Sequence, residues 1–454
     1  MFGWPLVCLM FFLRMPVEKA AIWSMLGGYL LLPSNMEINA PGLPPLDKMA
    51  ITSIGTVLLC WMKGTAVPRP KRSFLMYALA AVFVLSPILT AFDNSYELAN
   101  AGKSIPGFYP MDGLKFAGRN VLALVPLYIS SRFLSTDNAR MQLLRALPSA
   151  MLFYSLPMLI ELRISPQFHR LVYGYFPHSS FAQQARDGGW RPVVFFSHGL
   201  ALALFTALAL VAAIVLYRMR ARILRVPAAA VAAYFSGLLV LCKSLGPMMY
   251  AVAFAPLILA TRPRTWVKVG CVLSLVVCAY PLLRNNGLAP TQIVADVAHF
   301  VSPDRSISFA VRVENEEQLL AKANQKPLLG WGGWGRNLIF DKWTGQDIST
   351  IDGGWIAQFG TFGWLSYLAL FGLLTVVQLR ALRSMDKENT PGNMARAGLS
   401  LLLSIYIVDS IPNAMQVSLI FMLAGSVASA PPVRLKSKSD SPTATAGVRE
   451  PVPA

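Results

Sequence analysis

The sequence is short of charge. Only 14% of its 454 residues are Asp, Glu, Lys or Arg, against roughly 25% in a typical soluble domain, and 55% are hydrophobic. That deficit excludes an ordinary water-soluble fold of this length. Acidic residues are the scarcer sign, 22 against 40 basic ones. The five cysteines (Cys8, Cys60, Cys242, Cys271, Cys278) lie in or beside apolar segments, and no pair has metal-ligand spacing. They fit small hydrophobes in packed helices. A D-x-D pair, an H-E-x-x-H and a G-x-S-x-G are also missing, so metal-dependent transfer and serine hydrolysis lose support. Strand alternation at barrel spacing is absent. No internal repeat is visible, which weakens a transporter built from inverted halves. No A-x-A-like cleavage site follows the first apolar run and no basic stretch precedes it, so a retained span is expected there rather than a signal peptide.

What is present is a succession of apolar runs that recur along the whole length, of the size that crosses a hydrocarbon core of about 30 Å. They fall near 2–14, 17–33, 45–62, 74–92, 113–131, 146–162, 192–217, 228–243, 247–261, 265–283, 353–379, 397–412 and 413–430. The expectation is an all-α polytopic membrane protein with 12 or 13 transmembrane helices. Residues 1–283 form an N-terminal transmembrane bundle, 284–352 a large hydrophilic loop with short helices, and 353–430 the C-terminal transmembrane helices. Residues 431–454, rich in Pro, Ser, Thr and Ala, are expected to be a disordered tail.

The net charge of +18 does not point to nucleic acid, because the basic residues sit in short connectors. Those at 14–19, 63–72, 132–145, 218–225, 262–268 and 380–396 hold 20 Lys/Arg against 4 Asp/Glu, which makes them cytoplasmic by the positive-inside rule. The tail is then cytoplasmic too. The segments between them, including 163–191, the tight turn at 243–247 and the large loop, face outward.

Segment 163–191 breaks that rule with Arg163, Arg170, Arg186 and Arg191 near His169 and His178. Two explanations stand: arginines meeting lipid headgroups, or an anion site, for which the planar guanidinium fork suits phosphate. Lys243, at the outward end of a span, either snorkels to the interface or points into a pocket. In the large loop a helical run is expected from Ser306 through Lys326, capped by Asp304 or Ser306. Near its start Arg312 serves an anion or pairs with Glu316 at i and i+4. Gly330-Trp331-Gly332-Gly333-Trp334-Gly335 matches GxGxxG formally, but no strand or βαβ unit precedes it, so it is no dinucleotide signature. Trp331 or Trp334 suits stacking on a sugar, or anchoring at the interface. Asp352 sits where the chain re-enters the membrane, and Asp409 near the outer end of a later span.

The run Arg312…Lys326-Pro327-Leu328-Leu329-Gly330-Trp331-Gly332, then Asp352-Gly353-Gly354-Trp355 and Gly360-Thr361-Phe362-Gly363, resembles the O-antigen ligase and Wzy-type polymerase family. Arg191 resembles the family's arginine at the end of the preceding outer loop. Cys242-Lys243-Ser244-Leu245-Gly246 resembles its short Ser-Arg-Gly turn, with Lys243 in place of the arginine. Ligases, and many polymerases, carry His where this chain has Asp352. The likeness covers roughly 185–380 by motif and the rest by hydropathy.

The resemblance implies a C-type glycosyltransferase-like fold in the bacterial inner membrane, with the large loop periplasmic. It implies polymerisation of undecaprenyl-diphosphate-linked repeat units into O-antigen or exopolysaccharide. Asp352 and Arg312 are then catalytic, Arg191, Arg312 and Lys243 hold the diphosphate, and Trp331 and Trp334 meet sugar, with no cofactor and no metal. The implied partners are the lipid-linked oligosaccharide, membrane lipids and other polysaccharide-export proteins, with no nucleic acid. The alternatives are a ligase transferring glycan to lipid A-core or protein, and a lipid-linked oligosaccharide flippase.

Overall fold

Each apolar run expected to span contains a helix. The structure, a computed structural model, describes residues 1–39, 44–64, 73–100, 103–186, 188–301, 303–386, 388–414 and 418–428. The expected tail at 431–454 lies outside the described residues. The longer helices are α1 (Trp4–Arg14), α2 (Val17–Leu31), α3 (Lys48–Lys63), α4 (Phe74–Asp93), α5 (Pro110–Phe133) and α6 (Asp137–Ile164). After the short α7 (Phe168–Tyr173) come α8 (Gly199–Arg218), α9 (Ala228–Leu241), α10 (Leu245–Ala260) and α11 (Pro263–Cys278). Next come α12 (Tyr280–Asn285), α13 (Thr291–Val301) and α14 (Pro303–Ala323), the last two within the hydrophilic loop. The chain then continues through α15 (Gly354–Arg383), α16 (Pro391–Asp409) and α17 (Ser418–Ala428). Among the described residues, strands are confined to three small hairpins: β1 (Leu98–Asn100) with β2 (Lys103–Ile105), β3 (Ala185–Arg186) with β4 (Gly189–Trp190), and β5 (Arg222–Ile223) with β6 (Val226–Pro227).

The surface chemistry is that of a membrane protein. Among the described residues, α4, α6, α8 and α15 are long and apolar enough to cross a bilayer, and α1, α9, α10 and α17 are shorter apolar helices. The apolar stretch of α8 is 89% buried and forms the middle of the bundle, packed by α6, α9, α10 and α16. That of α4 is only 28% buried. It leaves Phe74, Leu75, Tyr77, Leu85, Leu89 and Phe92 exposed. A contiguous apolar face of that kind is stable only against an apolar surrounding.

Part of the basic excess is structural. Arg140 Nε donates to Ser426 O at 3.1 Å, and Arg396 donates to Val427 O at 2.9 Å. Both arginines are buried, and together they satisfy end carbonyls of α17, where a cation also meets the negative end of the helix dipole.

Three boundaries differ from expectation. The run at 192–217 is helical only from Gly199, because residues 193–195 donate their N–H groups to side chains instead of a helix ladder. The run at 265–283 breaks at Ala279, just before Pro281, where the chain turns into α12. Proline there lacks an N–H and forbids a continuous ladder. Helix α14 starts at Pro303, ahead of both expected caps, as proline favours a first helical position.

The Gly/Trp run is docked into a break in α15. Gly363 has φ 65° and ψ −169° inside that helix. The backbone groups freed there are met by the loop: Trp331 N donates to Gly360 O at 3.0 Å, Gly332 N to Thr361 O at 2.8 Å, and Trp364 N to Pro327 O at 2.7 Å. Irregular backbone near membrane depth needs such partners. A Cβ on Gly363 would lie 2.3 Å from Leu328 O, and one on Gly330 2.5 Å from Thr361 O. Both glycines also have positive φ.

Candidate functional site

Two adjoining cavities lie at one end of the helix bundle. The larger, of about 960 Å³, is the more polar of the two, its walls about half polar. Its described lining comes from the α2–α3 connection, the β3–β4 hairpin, the turn at 191–198, α14 and residues 350–352. The smaller, of about 370 Å³, is mostly apolar, with Leu245, Pro247, Met249, Val294, Phe309 and Ile411 in its walls. Arg186, Arg191 and Arg312 line both. Three guanidinium groups therefore stand at the seam between a polar chamber and an apolar cleft.

Arg191 is placed by a buried carboxylate. Glu161, on α6, accepts the N–H groups of Val193 and Val194 at 2.7 and 2.8 Å and that of Phe168 at 2.9 Å. Tyr154 Oη accepts the N–H of Phe195 at 2.9 Å. The turn is thereby fixed with Val194 at φ 51°. Arg191 is itself 5% exposed and donates to Lys243 O at 3.0 Å. Lys243 has φ 51°, and its ammonium donates to Arg186 O at 2.8 Å. Lys243 is not among the described lining residues of either cavity. Its ammonium ties the β3–β4 hairpin down, and its carbonyl aims Arg191.

Arg312 projects from α14, in the hydrophilic loop. Its Nε lies 3.7 Å from Asp352 Oδ2, and its NH1 donates to Pro412 O at 3.3 Å. The Glu316 pairing left open by spacing goes elsewhere. Glu316 pairs with Arg284 at 4.0 Å and accepts the Trp355 indole N–H at 3.2 Å. Asp352 borders the polar cavity. Burial raises its pKa above the usual carboxylate value, against the opposing pull of Arg312. That combination makes it a stronger base than a solvated aspartate while keeping it beside a cation.

His198 also lines the polar cavity, in contact with the His178 ring at 4.9 Å between centroids. Its Nδ1 accepts the Leu200 N–H at 3.0 Å and caps α8. Burial, then His178, Arg191 and Arg312, pull its pKa down to about 3. The ring is neutral, its proton is on Nε2, and it can donate one hydrogen bond to a ligand.

The structure gathers Arg191, Arg312 and Asp352 and leaves the other expected groups outside. Neither Trp331 nor Trp334 is among the described lining residues. The Trp331 indole donates to Lys322 O at 2.8 Å, under the Lys322 and Lys326 ammoniums, and Trp334 packs on Phe116. Both belong to the docking of the loop on α4, α5 and α15. Asp409 is buried, accepting from Tyr250 Oη and Asn413 Nδ2. Of the four outer-loop arginines, Arg186 and Arg191 reach the cavities, while Arg163 and Arg170 do not line them. Sequence reasoning missed Arg119, Glu37, Asp47 and Lys48 at the far side of the polar cavity. They come from α5, the α2–α3 connection and the start of α3, where no motif marks them.

Neither a scan against protein-family models nor a search of curated proteins finds a match to this chain.

Proposed function

We propose that the protein is a metal-independent glycosyltransferase that polymerises undecaprenyl-diphosphate-linked oligosaccharide repeat units. The site lies at the outer face of the bacterial inner membrane, within 12 or 13 spans, with the loop at 284–352 periplasmic and the tail cytoplasmic. One observation carries this reading: Arg186, Arg191 and Arg312 stand at the seam between a polar cavity and an apolar cleft. A polyprenyl-diphosphate glycan has the matching order of parts. Its isoprenoid end suits the apolar cleft, its diphosphate the arginines, and its sugars the polar chamber, where a concave site with a few polar groups fixes orientation.

In this reaction Asp352 takes the proton of an acceptor hydroxyl. The acceptor oxygen forms a bond to the anomeric carbon of the donor sugar. The bond from that carbon to the diphosphate breaks, and its electron pair leaves on the diphosphate. Arg191 and Arg312 offset the negative charge that develops there in a site partly shielded from water. His198 supplies a neutral donor to the sugar or the leaving oxygen. The walls hold donor and acceptor together, which accounts for a large share of such a barrier.

The test is gel analysis of surface glycan in a deletion strain. A ladder collapsed to a single repeat unit supports polymerisation. Full-length polymer held on the carrier shows a ligase instead. Single units trapped on the inner leaflet show a flippase.

A further inference from the structure

Glu316 is a buried carboxyl group that the reaction above does not use. It lies one helical turn beyond Arg312 on α14 and is 8% exposed. One carboxylate oxygen accepts the Trp355 indole N–H at 3.2 Å. The other is 4.0 Å from the Arg284 guanidinium, whose NH2 donates to Val313 O at 3.3 Å on the same turn of α14. Trp355 is fully buried and stacks edge-on against Tyr280 at 4.9 Å. It sits in the first turn of α15, just after Asp352, and its backbone N–H donates to Ser410 O at 3.0 Å. The groups that face Glu316 are therefore Arg284 and Tyr280 from α12, Arg312 from its own helix, and Asp352 and Trp355 from the start of α15.

We propose that Glu316 is a positioning residue for glycosyl transfer: its carboxyl group grips the Trp355 indole and thereby holds Asp352 against Arg312. The inference rests on the assignment of Arg312 and Asp352 made above. The physical reason is geometric. Arg312 rides on a loop helix, whereas Asp352 is set by the helix that re-enters the membrane. The direct Arg312–Asp352 contact, at 3.7 Å and partly open to solvent, is too long and exposed to fix two elements by itself. The Glu316–Trp355 hydrogen bond joins the same two elements in a buried setting, where leaving either partner unsatisfied is costly.

The experiment uses the full chain reconstituted in liposomes, with undecaprenyl-diphosphate-linked glycan extracted from a deletion strain as substrate. Trp355→Phe, which removes the indole donor together with part of the buried ring, lowers kcat by about tenfold and leaves KM within about twofold, as loss of alignment rather than of binding predicts. Glu316→Leu lowers kcat at least as far. Glu316→Gln keeps an acceptor oxygen and restores activity to within about threefold of the parent. In the Glu316→Leu/Trp355→Phe double variant the two losses do not multiply. A wild-type kcat for Trp355→Phe, a Glu316→Gln as poor as Glu316→Leu, or multiplying losses would overturn the proposal. Asp352→Asn in the same preparation separates the two failures. If it is inactive while Trp355→Phe is normal, only the positioning role falls. If Asp352→Asn is fully active, the underlying assignment of the base falls.

Discussion

Arg312 Nε and Asp352 Oδ2 lie 3.7 Å apart, one on α14 of the hydrophilic loop and the other two residues before α15. The pair sets a cation beside a carboxylate whose basicity burial has raised. Such a neighbourhood suits a base that must lose its charge while a leaving group gains one. Asp352→Asn is isosteric and keeps the shape of the site. It is expected to lower the rate of polymer formation by about 10²–10⁴-fold, the range of general-base catalysis, with the amount of protein in the membrane unchanged. Normal polymer in that variant reduces Asp352 to a structural partner of Arg312.

In the proposed reaction the arginines at the seam act through charge and through their fork. Arg191→Ala and Arg312→Ala are each expected to abolish polymer while membrane insertion stays intact, since neither lies inside a spanning helix. Arg191→Lys keeps a point charge but loses bidentate contact. It should retain a small fraction of activity, roughly 1–10%, as expected for a loss of about 1.4–2.7 kcal/mol. The check is glycan length and yield on gels beside an immunoblot of the membrane fraction.

Lys243 separates two roles that the sequence leaves merged. If its ammonium contacted diphosphate, Lys243→Ala would cost as much as Arg191→Ala. Its ammonium instead donates to Arg186 O, and only its carbonyl meets Arg191. Lys243→Ala keeps that carbonyl, so a smaller loss than in Arg191→Ala is expected, about tenfold. A complete loss of polymer with normal protein level would return Lys243 to direct substrate contact.

The helices were legible because burial in lipid forces long apolar runs, and the basic connectors marked the breaks between them. The functional residues were only half legible. Arg191, Arg312 and Asp352 stand out as charges at outward ends of spans. Trp331 and Trp334 stand out equally, yet the structure spends them on docking the loop to α15. Sequence could not distinguish the cases, because a glycine-rich turn that admits a ligand and one that admits another backbone have the same composition. Glu316 and Glu161 were hidden for a different reason. Glu316 is one of several acids in its helix and Glu161 stands at the end of an apolar run, and the role of each comes from an indole or from N–H groups far away in the chain.

The break in α15 yields a stability prediction with little dependence on chemistry. Gly363→Ala places a methyl group against Leu328 O at a positive φ. Such strain costs about 1–3 kcal/mol, and the Pro327–Gly332 backbone loses its docking partners if α15 straightens. Gly363→Ala is therefore expected to lower the thermal midpoint in detergent, whereas Trp334→Ala, at a residue that is 52% exposed, lowers it less. Equal midpoints for parent and Gly363→Ala would mean that the break is not held by the glycine.

Glu316 supplies a pH dependence whose sign is fixed by its surroundings. Burial, partly offset by the Trp355 hydrogen bond and by Arg284, lifts its pKa to about 7, from about 4.3 for an unperturbed glutamate. The folded state then binds more protons than the unfolded state between those two values, so stability falls as pH rises through that window. This contribution is fully present below about pH 4 and lost above about pH 7. Glu316→Gln removes the titration and should flatten that part of the curve, leaving the variant relatively more stable than the parent at pH 8 than at pH 5. Thermal midpoints of both proteins in detergent at the two pH values provide the comparison. Parallel curves would show that Glu316 is ionised in the folded protein throughout the range, held so by Arg284 and Trp355.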